Sequence, residues 1–256
     1  MTGCLRVLEH HLLVYRRTWR GSIVTTFLAP VLFLASMGLG LGTFVDRSNP
    51  TALGGVAYLV YLAPGLLAAQ AMQTAAGESM YPVLSALLWQ RTYLAMLATP
   101  ILAWQIVAGQ VLWLVFRLFI VAASFVIVML LFGATDPLHG VAMIPVAILT
   151  GLAFAAPIAA FAATRRTDGS FAAMNRFVIT PLFIFSGTFF PISQLPVFLQ
   201  PIAYATPLWN GVSLARGLAL GTLDAPLALA NLAVLCAWIA VGVGAALVTF
   251  QRRLVQ

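Results

Sequence analysis

Long apolar segments separated by short polar ones dominate this chain. A helix needs about 20 apolar residues to cross the hydrocarbon core of a bilayer, and each of these segments is at least that long. Continuous apolar runs are typical of membrane helices, since barrel strands would alternate apolar and polar residues. The pattern therefore predicts an all-α membrane protein. The apolar runs cover residues 22–44, 56–77, 103–131, 140–163, 177–221 and 226–250.

The first twenty residues are more polar than the rest and have a different periodicity. Leu5, Leu8, Leu12, Tyr15 and Trp19 recur at helical spacing on one stripe, and most arginines of this segment fall elsewhere. Such a helix lies in the headgroup layer of a membrane, with arginine for lipid phosphate and an aromatic anchor. We predict an interfacial helix over residues 1–20, followed by a first membrane helix over 22–44.

The fifth apolar run is about twice the usual length and is rich in proline. Proline inside a helix removes a backbone donor and clashes with the preceding turn. The run is therefore either two crossings, or one crossing over 177–190 followed by a re-entrant hairpin over 191–221 that must be buried in protein. The breaking residues are Pro191, Pro196, Pro201 and Pro207.

The distribution of arginine favours the hairpin. With six crossings and a cytoplasmic N-terminus, only Arg47 and Arg216 face outward, and Arg117 lies within the third membrane helix. Positively charged residues concentrate on the cytoplasmic side of membrane proteins. We predict six transmembrane helices, both termini in the cytoplasm, and an outer re-entrant hairpin between helices 5 and 6. The inner arginines are Arg6, Arg16, Arg17, Arg20, Arg91, Arg165, Arg166, Arg176, Arg252 and Arg253.

Composition excludes several functions. Hydrophobic residues make up 62% of the chain and charged residues 7%, against about 25% charged in soluble proteins. All 13 basic residues are arginine, so the lysine of a phosphate-binding P-loop is missing. The six acids fall in or beside predicted loops, without paired carboxylates or metal-ligand spacing. We therefore predict no catalytic residues, no metal site and no cofactor bound by this chain; it is not an enzyme by itself.

The net charge of +7 is explained by the arginines that face the cytoplasm in the predicted topology, and no nucleic acid partner is predicted.

Two sets of polar residues interrupt the apolar helices. Gln70, Gln73 and Thr74 share one face of the second helix, where they line either a helix–helix contact or a substrate path. Arg117 lies about 14 residues into the third helix, and an arginine at mid-bilayer costs about 2.5–3.5 kcal/mol on insertion scales. It therefore needs a partner, for which Glu78 is the nearest candidate. Structural pairing and substrate contact both remain open for Arg117.

Two segments resemble a known transporter family. Residues 185–196 (FSGTFFPISQLP), continued by Pro207 and residues 213–217, are similar to the C-terminal signature of ABC-2 type permeases. Within that family the likeness is to the branch of nodulation lipooligosaccharide and daunorubicin-resistance exporters. Residues 92–100 resemble the cytoplasmic loop of the same branch. The resemblance assigns an outer hairpin that caps the pathway to Ser186, Gly187, Phe190, Pro191, Leu195, Pro196 and Pro207.

The resemblance also implies a machine of several subunits. The chain would be the membrane-spanning permease of an ATP-binding-cassette exporter in a bacterial cytoplasmic membrane, moving a lipid-linked glycan or a hydrophobic drug outward. It would pair with an identical or sister permease, and each permease would dock one ATPase subunit that holds ATP and Mg. An ATP-independent scaffold or scramblase is the alternative. The loop between helices two and three would be the coupling helix, carried by Arg91, Thr92, Tyr93, Met96 and Leu97.

Overall fold

A computed structural model describes residues 2–48 and 55–255, and nearly all of this part is helical. Helix α1 (Thr2–Phe33) continues through a π-helical segment (Leu34–Leu41) into α2 (Gly42–Ser48). The remaining helices are α3 (Tyr58–Ser79), α4 (Tyr81–Leu84), a π-helical segment (Ser85–Trp89), α5 (Thr92–Leu97), α6 (Ala103–Leu131), α7 (Pro137–Thr164), α8 (Gly169–Met174), a π-helical segment (Asn175–Ile179), α9 (Thr180–Phe185), a 3₁₀ turn (Ile192–Gln194), α10 (Gln200–Ala205), α11 (Pro207–Leu220) and α12 (Ala225–Val255).

The N-terminal region is one helix where the sequence predicts two. The helix runs without a break past Gly21, the position of the predicted junction between residues 1–20 and 22–44. Packing against α6 explains the continuity, because Val7 is fully buried and fills the space beside Gly109. Of the predicted apolar stripe, Leu5, Leu12 and Trp19 are exposed, whereas Tyr15 is half-buried and packs on Trp113 of α6. The exposed part of the stripe is the face available to lipid.

Within the described residues, four helices are long and apolar enough to cross a membrane. They cover Gly3–Val45, Ala103–Leu131, Pro137–Thr164 and Ala225–Leu254. Helix α3 has 22 residues, but Gln70, Gln73 and Glu78 lower its mean hydropathy, and most of its side chains pack against protein. The helical stretch Gly169–Phe185 is shorter and begins before the predicted span 177–190. Length and composition thus support a membrane protein, and six crossings remain a prediction.

The long helices pass between two ends of the bundle. At the α5 end, α1 and α6 begin together at Val7 and Gly109, and Tyr93 of α5 packs on Phe250 near the end of α12. At the opposite end, Tyr58 at the start of α3 lies beside Gly42, while α10 lies deeper in the bundle, beside Pro157 of α7 and Trp238 of α12. The arginine-rich segments gather at the α5 end, where Arg6 begins α1, Arg165 follows α7, and Arg91 shares a cavity with Arg253.

Helix α7 occupies the centre and is packed closely by small residues of its neighbours. Gly151 of α7 lies against Leu118 of α6, while Gly211 of α11 lies against Thr150 of α7. Such small residues allow helix backbones to approach closely in membrane proteins. The centre of the bundle is therefore held by shape-matched contacts.

The contact between α7 and α12 gives a direct test of this packing. A Cβ at Gly242 would lie 2.5 Å from Cδ and 2.7 Å from N of Pro157, and neither atom belongs to a flexible side chain. We expect Gly242→Ala to lower the free energy of unfolding by about 1–3 kcal/mol through overpacking, seen as a lower Tm in detergent. Gly244→Ala, two residues away in open space, is the control and should keep the Tm or raise it slightly. Equal Tm values for the two variants would contradict this packing.

Candidate functional site

Arg117 of α6 is paired with Glu78 at the end of α3. Its Nε donates a hydrogen bond to Glu78 Oε1 at 2.9 Å, and the two side chains are 12% and 21% exposed. The second carboxylate oxygen accepts a bond from Trp113 Nε1 at 3.4 Å. The guanidinium also lies 5.1 Å from the ring centre of Tyr15. The predicted candidate partner is therefore the observed one, and the pairing explains how an apolar helix accommodates a charge.

Two cavities meet at this ion pair, since Glu78 and Arg117 line both. The first, which we call the stripe cavity, has a volume of about 350 Å³. The second, the α1 cavity, has about 220 Å³. The stripe cavity is lined by Thr26, Ala29, Gln70, Thr74, Gly77, Glu78, Arg117 and Val121. The α1 cavity is lined by His11, Val14, Tyr15, Thr18, Ser22, Glu78, Pro82, Tyr93, Gln110, Trp113 and Arg117.

The polar stripe of α3 is open rather than packed within the chain. Gln70 and Thr74 are half-buried and line the stripe cavity, whereas Gln73 is exposed and lies outside its lining. Gly77, one turn further along, is exposed as well. Within the described part of the chain, Thr26 and Ala29 of α1 face Gln70 and Thr74 across the stripe cavity, and Gln73 lies outside it on the exposed surface. A substrate path or a contact with a second subunit are the roles that remain for it.

The predicted coupling segment forms a short helix at the α5 end. Tyr93 is buried, its hydroxyl donates to Gln110 Oε1 at 3.1 Å, and its ring packs on Phe250. Burial raises the pKa of the Tyr93 hydroxyl, so it remains a hydrogen-bond donor. Tyr93 therefore anchors α5 to α6 and α12. Thr92, Met96 and Leu97 are half-buried.

The exposed side of α5 carries a different set of residues. Arg91 is exposed and has a left-handed backbone with φ of 53°, and Leu94 is 43% exposed. Together with Arg253 and Leu254 of α12 they line a cavity of about 230 Å³. The contact surface at this end is thus apolar with two arginines, one from each segment.

The predicted outer hairpin, residues 191–221, consists of the 3₁₀ turn, α10 and α11. Leu195 packs with Ile192 and Ala203 in a small core of their own, against which Phe190 packs. The turn before it holds Ser186 and Gly187. Gly187 has φ of +78°, which a side chain would strain. Pro191 is half-buried, Pro196 is exposed, and Pro207 is buried at the start of α11.

Arg216 of α11 is a structural anchor that the sequence did not reveal. Its Nη2 donates to the carbonyl oxygens of Gly187 at 2.9 Å and Thr188 at 3.3 Å. Its Nε donates to the Tyr61 carbonyl oxygen at 3.2 Å, and the guanidinium stacks on the Tyr61 ring. These bonds join α11, α3 and the turn after α9. Sequence counting placed Arg216 among outward-facing charges, although a single arginine within an apolar helix could have indicated a buried role.

Long apolar helices around a paired charge and two polar cavities are the features of a membrane transport component. The ABC-2 type transporter family matches residues 4–220, and the chain belongs to this family. Its relatives include nodulation protein J of Rhizobium leguminosarum bv. viciae, 33% identical over 98% of this chain and 95% of the relative. Nodulation protein J of R. leguminosarum bv. trifolii is 32% identical over 85% of this chain and 81% of the relative. The family predicted from residues 185–196 and 92–100 is confirmed.

Proposed function

We propose that the chain is the permease subunit of an ATP-binding-cassette exporter. It moves an amphipathic or hydrophobic substrate, such as a lipid-linked glycan or a drug, outward with ATP hydrolysed by a separate subunit that holds ATP and Mg. The observation that carries the proposal is the Arg117–Glu78 pair between two polar cavities. Polar groups at this depth face a bundle interior or a water-filled path in membrane proteins. Membership of the ABC-2 type transporter family supports the same function.

The proposed complex contains two permeases, identical or sister, and two ATPase subunits in a bacterial cytoplasmic membrane. Gln70 and Thr74 line the stripe cavity, and Gln73 is exposed beside it, which supports a pathway between the two permeases. The gathering of arginine at the α5 end supports six crossings with both termini in the cytoplasm. In this topology α3 and the stretch Gly169–Phe185 are the second and fifth crossings. The hairpin, residues 191–221, enters the bundle from the outer side and caps the pathway.

Coupling is proposed to occur through α5. Closure of the ATPase subunits pushes on the exposed side of α5, which carries Arg91 and Leu94. Tyr93 transmits the movement to α6 and α12, since it bonds to Gln110 and packs on Phe250. Gln110 and Arg117 are both on α6, so the movement of α6 reaches the ion pair.

Purification of the intact complex tests this proposal. When the chain is tagged at its C-terminus and purified after mild solubilisation, an ATPase subunit should co-purify in a near 1:1 ratio. Vesicles that contain the complex should transport substrate only when ATP is present. A second permease of different mass would show a heterodimer. A chain that purifies alone, under conditions that preserve known transporters, would favour the ATP-independent scaffold or scramblase instead.

A further inference from the structure

The α1 cavity contains two buried nitrogen atoms without partners. Nη1 of Arg117 and Nε2 of His11 are buried and have no hydrogen-bond partner within the described part of the chain, although the His11 ring also interacts with Gln110 of α6. Both residues line this one cavity. A buried charged donor without an acceptor is costly. The cavity is therefore arranged for a ligand that supplies acceptor oxygens.

The neighbouring groups hold these two side chains in place. The ring of His11 stacks on Trp113, with centres 5.4 Å apart and planes at 15°. Glu78 engages Arg117 only through Nε, which leaves the Nη side of the guanidinium available for a second acceptor. The aromatic rings could also suit a cationic ligand, but Arg117 already occupies the position over Tyr15. An acceptor therefore fits the cavity better than a cation.

The surrounding charge and the size of the cavity further restrict the chemistry of the ligand. Arg16, Arg17 and Arg20 are exposed on the same helix as His11, and basic residues near a membrane surface attract anionic headgroups. A volume of about 220 Å³ accommodates a headgroup but not a whole lipid. We propose that the α1 cavity binds the oxyanion headgroup of an amphiphile, a phosphate or a carboxylate, with Arg117 and His11 as its hydrogen-bond donors. This names the ligand chemistry of the proposed transport site, and only its second experiment rests on the transport function.

Binding has a consequence for the ion pair. The oxyanion and Glu78 are like charges that share one guanidinium, so the ligand weakens the bond between Arg117 and Glu78. That pair also lines the stripe cavity. Occupation of the α1 cavity therefore loosens the boundary between the two cavities.

A binding measurement on the purified chain tests the inference without the ATPase. Short-chain phosphatidic acid is titrated into the protein in phosphatidylcholine nanodiscs, and the Kd is measured by calorimetry. His11→Phe keeps the stacking on Trp113 but removes Nε2, and it should weaken binding about tenfold, as should Arg117→Gln. Glu78→Gln keeps an oxygen acceptor for Arg117 but removes the repulsion, and it should tighten binding at least about threefold. Weaker binding by Arg117→Gln together with tighter binding by Glu78→Gln is the result expected only for a negatively charged ligand.

Matched controls separate the cavity from general surface charge. His10→Phe and Arg20→Gln make the same chemical changes on α1 at residues that do not line the cavity. His10→Phe should keep the wild-type Kd. Arg20→Gln removes only a surface charge that attracts anionic headgroups, so it should weaken binding by less than about fivefold, and by less than Arg117→Gln does. If Arg117→Gln does not fold, the Kd values of His11→Phe and Glu78→Gln still show whether the α1 cavity binds an oxyanion. Unchanged binding in those two variants would overturn the inference. So would preferential binding of dodecyltrimethylammonium that is lost in Glu78→Gln, because this would show a cationic ligand.

A second experiment separates the two sources of such a headgroup. In the complex with its ATPase, a headgroup that belongs to the transported substrate should be released on addition of ATP. A resident membrane lipid should stay bound. Both results keep the oxyanion site, and absence of ATP-driven transport would leave the binding result intact. A failure of the oxyanion site is therefore seen in the binding measurement, and a failure of the transport function is seen in the vesicle assay.

Discussion

Replacing Arg117 by methionine is expected to lower the free energy of unfolding by about 3–5 kcal/mol, because it leaves Glu78 as an uncompensated buried charge. Glu78→Met should lower the free energy of unfolding by a similar amount, because it leaves Arg117 as the uncompensated charge. The double variant should recover most of this loss, since a buried ion pair replaced by apolar side chains is often neutral. Unfolding in micelles by a denaturing detergent measures the three values. Both side chains are mostly buried, at 12% and 21% exposed, but they line two cavities, so the loss should lie toward the lower end of this range.

The control for this cycle is Gln70→Met, which removes a polar group of the stripe cavity without breaking an ion pair. Its free energy of unfolding should stay within about 0.5 kcal/mol of the wild type. Additive losses in the double variant would show that Arg117 and Glu78 do not stabilise each other. A double variant that folds normally and yet fails to transport would assign the pair to the pathway rather than to stability.

The long apolar helices were the most predictable part of this fold. The predicted span 103–131 coincides with α6, and the spans 140–163 and 226–250 lie within α7 and α12. These segments have a continuous apolar composition with polar or helix-breaking residues at both ends, so local sequence decides their extent. Pro201 and Pro207 likewise lie in the first turns of α10 and α11, as expected for residues that cannot continue a helix.

Tertiary contacts decided what local sequence did not. The predicted junction after residue 20 is absent, since α1 packs on α6 through Val7 and Tyr15 and continues as one helix. The predicted span 56–77 is less apolar than the four long helices, because Gln70 and Gln73 lie within it. The Arg117–Glu78 pair was accessible to prediction since acids are scarce in this chain. The Arg216 contacts were not, because their acceptors are backbone carbonyl oxygens of Tyr61, Gly187 and Thr188, and every residue has such a group.

Changing the exposed side of α5 is expected to uncouple transport from ATP hydrolysis. Arg91→Gly combined with Leu94→Glu should lower ATP-dependent transport at least about tenfold while the protein still folds and inserts. Glycine is the right substitution at position 91, because the φ of 53° suits glycine and the turn into α5 is preserved. Leu94 is 43% exposed, so a glutamate there alters the contact surface without entering the core.

The control for this experiment is Leu138→Glu, in the first turn of α7 at the end of the bundle opposite α5. Leu138 is 77% exposed and lies beside the exposed Asp136, so it should tolerate the same added charge with transport unchanged, because no ATPase reaches that end in the proposed topology. Tyr93 is left intact in both variants, since its loss would release α5 from Gln110 and Phe250 and confuse a docking defect with an unfolded segment. Measured in vesicles, continued ATP hydrolysis without transport identifies α5 as the coupling helix. Normal transport by the Arg91→Gly, Leu94→Glu variant would show that the ATPase acts on another part of the α5 end, for which the Arg253 side of the same cavity is the next candidate.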